Sequence, residues 1–166
     1  MKKWYLFAVL VIFIGCNDEE NEQEFREISI EKSYPYIYEK HSMNDVEANV
    51  FELFNQKIFL INSITELNKN PLFIYSPNIL KEELSKCDFD KYSLVITSSS
   101  AIHEIVYLKY NFYYNNFYSE YEYNQTYYSK SLEEPIENIY LLINAFSVRK
   151  IPTDSKLVFT KASIII

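Results

Sequence analysis

Leu108-Lys109-Tyr110-Asn111-Phe112-Tyr113-Tyr114-Asn115-Asn116-Phe117-Tyr118-Ser119-Glu120-Tyr121-Glu122-Tyr123 reads as a β-hairpin. On both sides of Asn115-Asn116, ring-bearing or aliphatic residues alternate with polar ones, the period of strands with one buried face. Asparagine tolerates the left-handed conformations of a two-residue hairpin turn better than other non-glycine residues. A turn at Asn115-Asn116 pairs Tyr114 with Phe117, Phe112 with Ser119, Tyr110 with Tyr121 and Leu108 with Tyr123. That register gathers Val106, Leu108, Tyr110, Phe112, Tyr121 and Tyr123 on one face. It sets Lys109 opposite Glu122 and Asn111 opposite Glu120 on the other.

Working outward, residues 105–114 and 117–128 are the hairpin arms, and 92–97, 136–146 and 157–165 have the same strand character. Earlier in the chain, 57–62 reads as a strand, 26–31 and 36–38 as short ones, and 46–54 suits either a strand or a helix. Ser63-Ile64-Thr65-Glu66 resembles a capping box opening a short helix. A second helix is expected over 77–86, with Ser76 as N-cap, Pro77 at the first helical position, and Ile79, Leu80 and Leu84 on its buried face. The expectation is an α+β fold, mainly antiparallel β sheet, either sandwich-like or a sheet with one or two short helices. No linker or internal repeat divides residues 25–166, which read as a single domain.

The N-terminus is of another kind. Lys2 and Lys3 precede an uninterrupted apolar run from Trp4 to Ile14, which is short of the ~20 residues needed to span a bilayer. Phe13-Ile14-Gly15-Cys16 follows, and the segment resembles a bacterial lipoprotein signal, with Phe13 where Leu, Val or Ile is usual. The resemblance implies removal of residues 1–15, cleavage between Gly15 and Cys16, and acylation of Cys16, a palmitate-type lipid anchor of several chains. Asn17-Asp18-Glu19-Glu20 resembles the acidic export tag of Bacteroidota-type surface-exposed lipoproteins. This implies an outer-membrane, cell-surface location set by Asp18, Glu19 and Glu20, with 16–24 as lipidated cysteine and tether. The alternative is a purely solvated tether, since 17–24 contains no apolar residue.

Setting Lys2 and Lys3 aside takes the formal charge from −7 to −9, with 14 basic against 23 acidic residues. Such a surface repels phosphate backbones and argues against nucleic acid as a partner. Cys87 is the one thiol left after Cys16, so no internal disulfide is expected. The sole glycine is Gly15. Phosphate-cradling loops, dinucleotide fingerprints and the G-x-S-x-G elbow all need glycine and are therefore absent beyond it. High Asn, Ile, Lys, Tyr and Phe also has the look of an A/T-rich coding bias, which by itself supplies many of the 16 tyrosines.

Asp88-Phe89-Asp90-Lys91-Tyr92-Ser93-Leu94-Val95-Ile96, together with the strand at 57–62 and Glu66-Leu67, resembles the C-terminal domain of the protease complex subunit family. There an apolar strand, a helix and a D-F motif leading into a core strand occur in that order. The resemblance would cover 57–166 and implies a similar fold; Ser98-Ser99-Ser100-Ala101-Ile102 stands where that family usually has a glycine-containing turn.

Few residues suggest chemistry. Ser98-Ser99-Ser100 with His103-Glu104 has the ingredients of a nucleophile, base and orienting acid, but neighbours on a strand point to opposite faces, and a polar loop is the simpler expectation. His41 and Asp45 have helical i, i+4 spacing for two metal ligands. Asp88 and Asp90 suit either calcium or a turn, the turn being favoured without a D-x-D-x-D-G pattern. No cofactor is expected. Tyr107, Tyr113, Tyr114, Tyr118 and Tyr128 fall on or near the polar face of the hairpin, and Tyr107, Tyr113 and Tyr118 are the candidate ligand contacts. The expected function is a lipid-anchored, non-enzymatic binding protein or accessory subunit of an envelope complex. The alternative is a carbohydrate-binding module using exposed tyrosines, and a distant third is a hydrolase.

Overall fold

The computed structural model describes residues 25–42, 48–102, 104–130 and 138–165. These form β1 (Phe25–Glu27), β2 (Ile30–Ser42), α1 (Ala48–Leu53), β3 (Lys57–Ile61), α2 (Ile64–Lys69), α3 (Pro71–Tyr75) and α4 (Asn78–Leu84), then β4 (Tyr92–Ala101), β5 (Ile105–Asn115), β6 (Glu120–Ser129), β7 (Asn138–Arg149) and β8 (Leu157–Ile165). One four-stranded sheet has the order β1-β5-β6-β8 and the other β2-β7-β4-β3. Neighbours are antiparallel except β6 and β8, which run parallel. The helices cover the outer face of the second sheet, giving helix, sheet and sheet layers. The α+β sandwich is as expected, with four short helices among the described residues rather than one or two. No helix among them is long and apolar enough to cross a membrane.

The two central strands β4 and β7 explain the layering. Leu94 and Ile96, with Ile139, Leu141, Ile143 and Ala145, point to the helices and pack with Leu67, Leu72, Leu80 and Leu84. Val95, Phe146 and Val148 point the other way and pack with Phe112, Tyr121 and Tyr123 of the facing sheet. A strand covered on both sides loses its alternation, and this accounts for the nearly continuous apolar run at 139–146. Ser98-Ser99-Ser100 belongs to β4 rather than to a loop. A buried hydroxyl is tolerated where it is bonded. Ser98 Oγ donates to the Leu53 carbonyl at 2.7 Å, and Ser99 Oγ accepts from Gln125 Nε2 at 3.4 Å.

Local chemistry sets the helices. Ser63 caps α2 by accepting from Glu66 N at 3.2 Å, while the Glu66 carboxylate accepts from Asn62 N at 2.6 Å rather than from the cap residue itself. Asn70 Oδ1 accepts from Leu72 N and Phe73 N and, with Pro71 next to it, opens the unexpected α3. Ser76 therefore does not cap the following helix. Its hydroxyl donates to Leu72 O at 2.7 Å, closing α3, and Pro77 stands at the N-cap of α4 with no side-chain bond. Leu80 and Leu84 are buried as expected, but Ile79 is 67% exposed. Within 46–54 the described residues form the helix α1 over Ala48–Leu53, and 26–31 divides at Ile28-Ser29 between the end of β1 and the start of β2, which belong to different sheets.

The hairpin exists with a longer turn. Asn115 ends β5 opposite Glu120, so the loop is Asn116 to Ser119, and the pairs are Tyr114 with Tyr121, Phe112 with Tyr123, Tyr110 with Gln125 and Leu108 with Tyr127. Lys109 faces Thr126, Asn111 faces Asn124 and Glu122 faces Tyr113. Tyr110 and Tyr121 are thus not cross-strand partners. The cause is the Asn115 side chain, whose Oδ1 accepts from Phe117 N at 3.0 Å and Tyr118 N at 3.2 Å. Ser119 then carries the positive φ of 52°. Each expected partner moves by four residues, an even number, so the faces survive: Tyr110, Phe112, Tyr121 and Tyr123 do point inward. Val106 is the exception, at 46% exposure.

Candidate functional site

The layer between the sheets changes character along its length. Near the hairpin turn it is apolar and aromatic, with Phe146 stacked on Tyr123 at 5.2 Å and edge-on to Phe112 at 5.3 Å. Further along, the same inward positions become polar. Tyr110 donates to Ser33 Oγ at 2.6 Å, Asn144 Nδ2 donates to the Tyr123 hydroxyl at 2.7 Å, and Thr97 Oγ1 donates to Asn144 O at 3.1 Å. Tyr127 and Gln125 both donate to Ser99 Oγ. Burial holds the hydroxyls of Tyr123 and Tyr127 far above the ordinary tyrosine pKa, so both remain neutral.

Beyond Tyr127 the layer opens into a cavity of about 410 Å³, lined by Ser100, Ala101, Ile102, Tyr127, Ser129, Lys161, Ser163 and Ile165. This is within the usual range for small-ligand sites. Two polar groups in it are incompletely served. Among the described residues, Ser129 Oγ is buried without a hydrogen-bond partner. Lys161 Nζ donates to Ser100 O at 2.9 Å and lies 5.7 Å from the Tyr127 ring, and no carboxylate among the described residues pairs with it. Partial desolvation lowers its pKa from the ordinary lysine value. The arrangement offers an apolar wall, a hydroxyl and a cation.

None of the three expected ligand contacts, Tyr107, Tyr113 and Tyr118, lines this cavity, whereas Ser100 of the serine run does. Tyr107 and Tyr113 lie on the outer face of the first sheet, six residues apart on β5 and hence about 20 Å from each other. Tyr107 stacks on Tyr128 at 4.0 Å with planes 10° apart, and Tyr113 meets Phe25 edge-on at 6.3 Å. Tyr118 is elsewhere, in the hairpin loop, 63% exposed and edge-on to Phe117, which is 74% exposed. Tyr114 turns inward beneath Arg26. The three candidate contacts therefore do not form one platform.

The remaining candidates fall only partly within the described residues. His41 is in β2, where the helical spacing to Asp45 does not apply; Asp45 and His103 lie outside the described residues. Among the described residues no group of acidic, His and Cys side chains is arranged to hold a metal. Asp88 shapes the turn before β4: it accepts from Asp90 N at 3.2 Å and pairs with Lys91 at 2.9 Å, which lowers its pKa. Cys87 is a free thiol whose pKa is raised by burial. Gly15, Cys16, Asp18, Glu19 and Glu20 lie outside the described residues. Ser129 and Lys161 escaped notice because the strands that bring them together are distant in sequence. The available signal was polar residues at the inward positions 125, 127 and 129. Comparison of the chain with protein-family models, curated proteins and solved structures returns no match.

Proposed function

We propose that the protein is a lipid-anchored outer-membrane lipoprotein, exposed at the cell surface, that works by binding, as a receptor-like or accessory subunit rather than a catalyst. The observation that carries this is the polarity of the domain. Phe25, the first described residue after the tether, pairs with Asn115 beside the hairpin turn, whereas the cavity opens at the other end of β6, about 30 Å away. An anchor at Cys16 therefore leaves the cavity facing outward, where a partner in an envelope complex or a small ligand can reach it.

The carbohydrate-binding alternative draws on Tyr107 and Tyr128. Their rings lie face to face, so each covers one face of the other and that face is lost to a sugar. A flat sugar platform needs rings side by side with their faces free. This favours the first reading.

The test has two arms. Cys16→Ala should abolish labelling by a clickable palmitate analogue and release the protein from the membrane fraction, whereas unchanged labelling would overturn the anchor. Replacing Asp18, Glu19 and Glu20 by alanine should keep the label but reduce protease access on whole cells. In the second arm, molecules recovered with the protein from solubilised outer membrane should be lost with Ser163→Phe, which fills the cavity from an exposed strand position. Equal recovery would move the binding surface elsewhere.

A further inference from the structure

The end of the domain at which the tether arrives carries an exposed aromatic cluster. Phe117 is 74%, Tyr118 63% and Phe25 44% exposed. Phe25 is paired with Asn115, so the three residues share one end of the first sheet. The loop is pre-formed, since Asn115 Oδ1 holds Phe117 N and Tyr118 N and its Nδ2 donates to Glu122 at 2.5 Å. Arg26 sits over the Tyr114 ring, and Lys156, bonded to Glu120, lies at the same end. Rigid exposed rings with flanking cations are the composition of a surface that rests in a headgroup layer.

The length of chain before Phe25 decides what covers these rings. Phe25 stands nine positions after Cys16, a reach of at most about 30 Å even when fully extended. With acyl chains on Cys16, the bilayer is the one apolar phase the cluster is always close to. We infer that Phe117 and Tyr118, with Phe25 beside them, seat in the interface of the membrane to which Cys16 is attached, making a second contact that fixes the domain upright and its cavity outward. This rests on the lipid-anchor reading proposed above.

Trp4 is the sole tryptophan and belongs to the segment removed with the signal, so a tryptophan placed in the domain reports alone. The acylated full-length product carrying Phe117→Trp is reconstituted into phosphatidylethanolamine/phosphatidylglycerol vesicles with and without dibrominated lipid, beside a Tyr107→Trp control at the far end of β5. The indole at position 117 should emit at shorter wavelength than in detergent-free buffer with the anchor cleaved off. It should also be quenched at least twofold more than the indole at position 107. Equal quenching of the two in protein that floats with the vesicles overturns the membrane contact and leaves the anchor standing. Protein that does not float overturns the anchor and this inference together. Tyr118→Ser in the Phe117→Trp background should weaken the quenching without changing the thermal midpoint, because the ring is exposed; unchanged quenching would remove Tyr118 from the contact.

Discussion

The two ends of the layer between the sheets have the same backbone and opposite chemistry. At the hairpin end, Phe112, Tyr121, Phe146 and Val148 fill the layer with rings and aliphatic groups, beside a separate cavity of about 470 Å³ lined by Arg26, Tyr121 and Lys150. At the far end, Ser99, Gln125, Tyr127 and Ser129 occupy equivalent inward positions with hydroxyls and an amide, and the layer ends in a cavity. Among the described residues, the inward-facing hydroxyl left without a partner, that of Ser129, belongs to the far end, which is the end the proposed binding role uses.

The largest effect should come from the apolar end. Phe146 is fully buried and contacts Tyr110, Phe112 and Tyr123. Phe146→Ala removes the shared ring of that cluster and should cost about 3–5 kcal/mol, measured by denaturant melts. A loss no greater than that of a surface substitution would erase the contrast between the ends.

The polar end should yield smaller, pH-dependent effects. Asn144→Ala leaves the buried Tyr123 hydroxyl without its donor and should cost about 1–3 kcal/mol. Tyr123 and Tyr127 have raised folded-state pKa values, so below pH ~10 both states hold these protons and the linkage is silent. Above it the unfolded chain releases protons that the folded chain keeps. Stability then falls with rising pH, by about 1.4 kcal/mol per unit for each tyrosine. Tyr123→Phe should make the alkaline limb of a urea-midpoint profile shallower by about one such increment, and an unchanged limb would show that the hydroxyl is not sequestered.

The readable part of this architecture was the part with local causes. Alternation in 105–128 identified both arms and the inward faces, and Ser63 signalled the start of α2. The turn length was misjudged because the capping power of the Asn115 side chain competes with a two-residue turn, and backbone preference alone does not rank them. Ser98 to Ser100 looked like a loop because nothing nearby reveals that Leu53, Gln125 and Tyr127 supply their bonds. The parallel pairing of β6 with β8 has no local signature at all, and the cavity depends on it. Lys161 beside Gln125 and Ile165 beside Ser129 are consequences of topology.

The smallest expected effect separates binding from packing most sharply. Ser99 and Ser129 are both buried serines at the polar end, but Ser99 accepts from Tyr127 and Gln125 whereas Ser129 has no partner among the described residues. Ser99→Ala strands two buried donors and should destabilise by about 1–3 kcal/mol. Ser129→Ala removes a hydroxyl that was desolvated without compensation, so its midpoint should stay within about 0.5 kcal/mol of the parent or rise slightly. A serine that folding does not need, buried in the wall of a cavity that also holds a lysine unpaired with any carboxylate among the described residues, is the result the proposed binding role calls for. If Ser129→Ala proves as costly as Ser99→Ala, the hydroxyl has an internal partner, and the polar end is a packed network like any other.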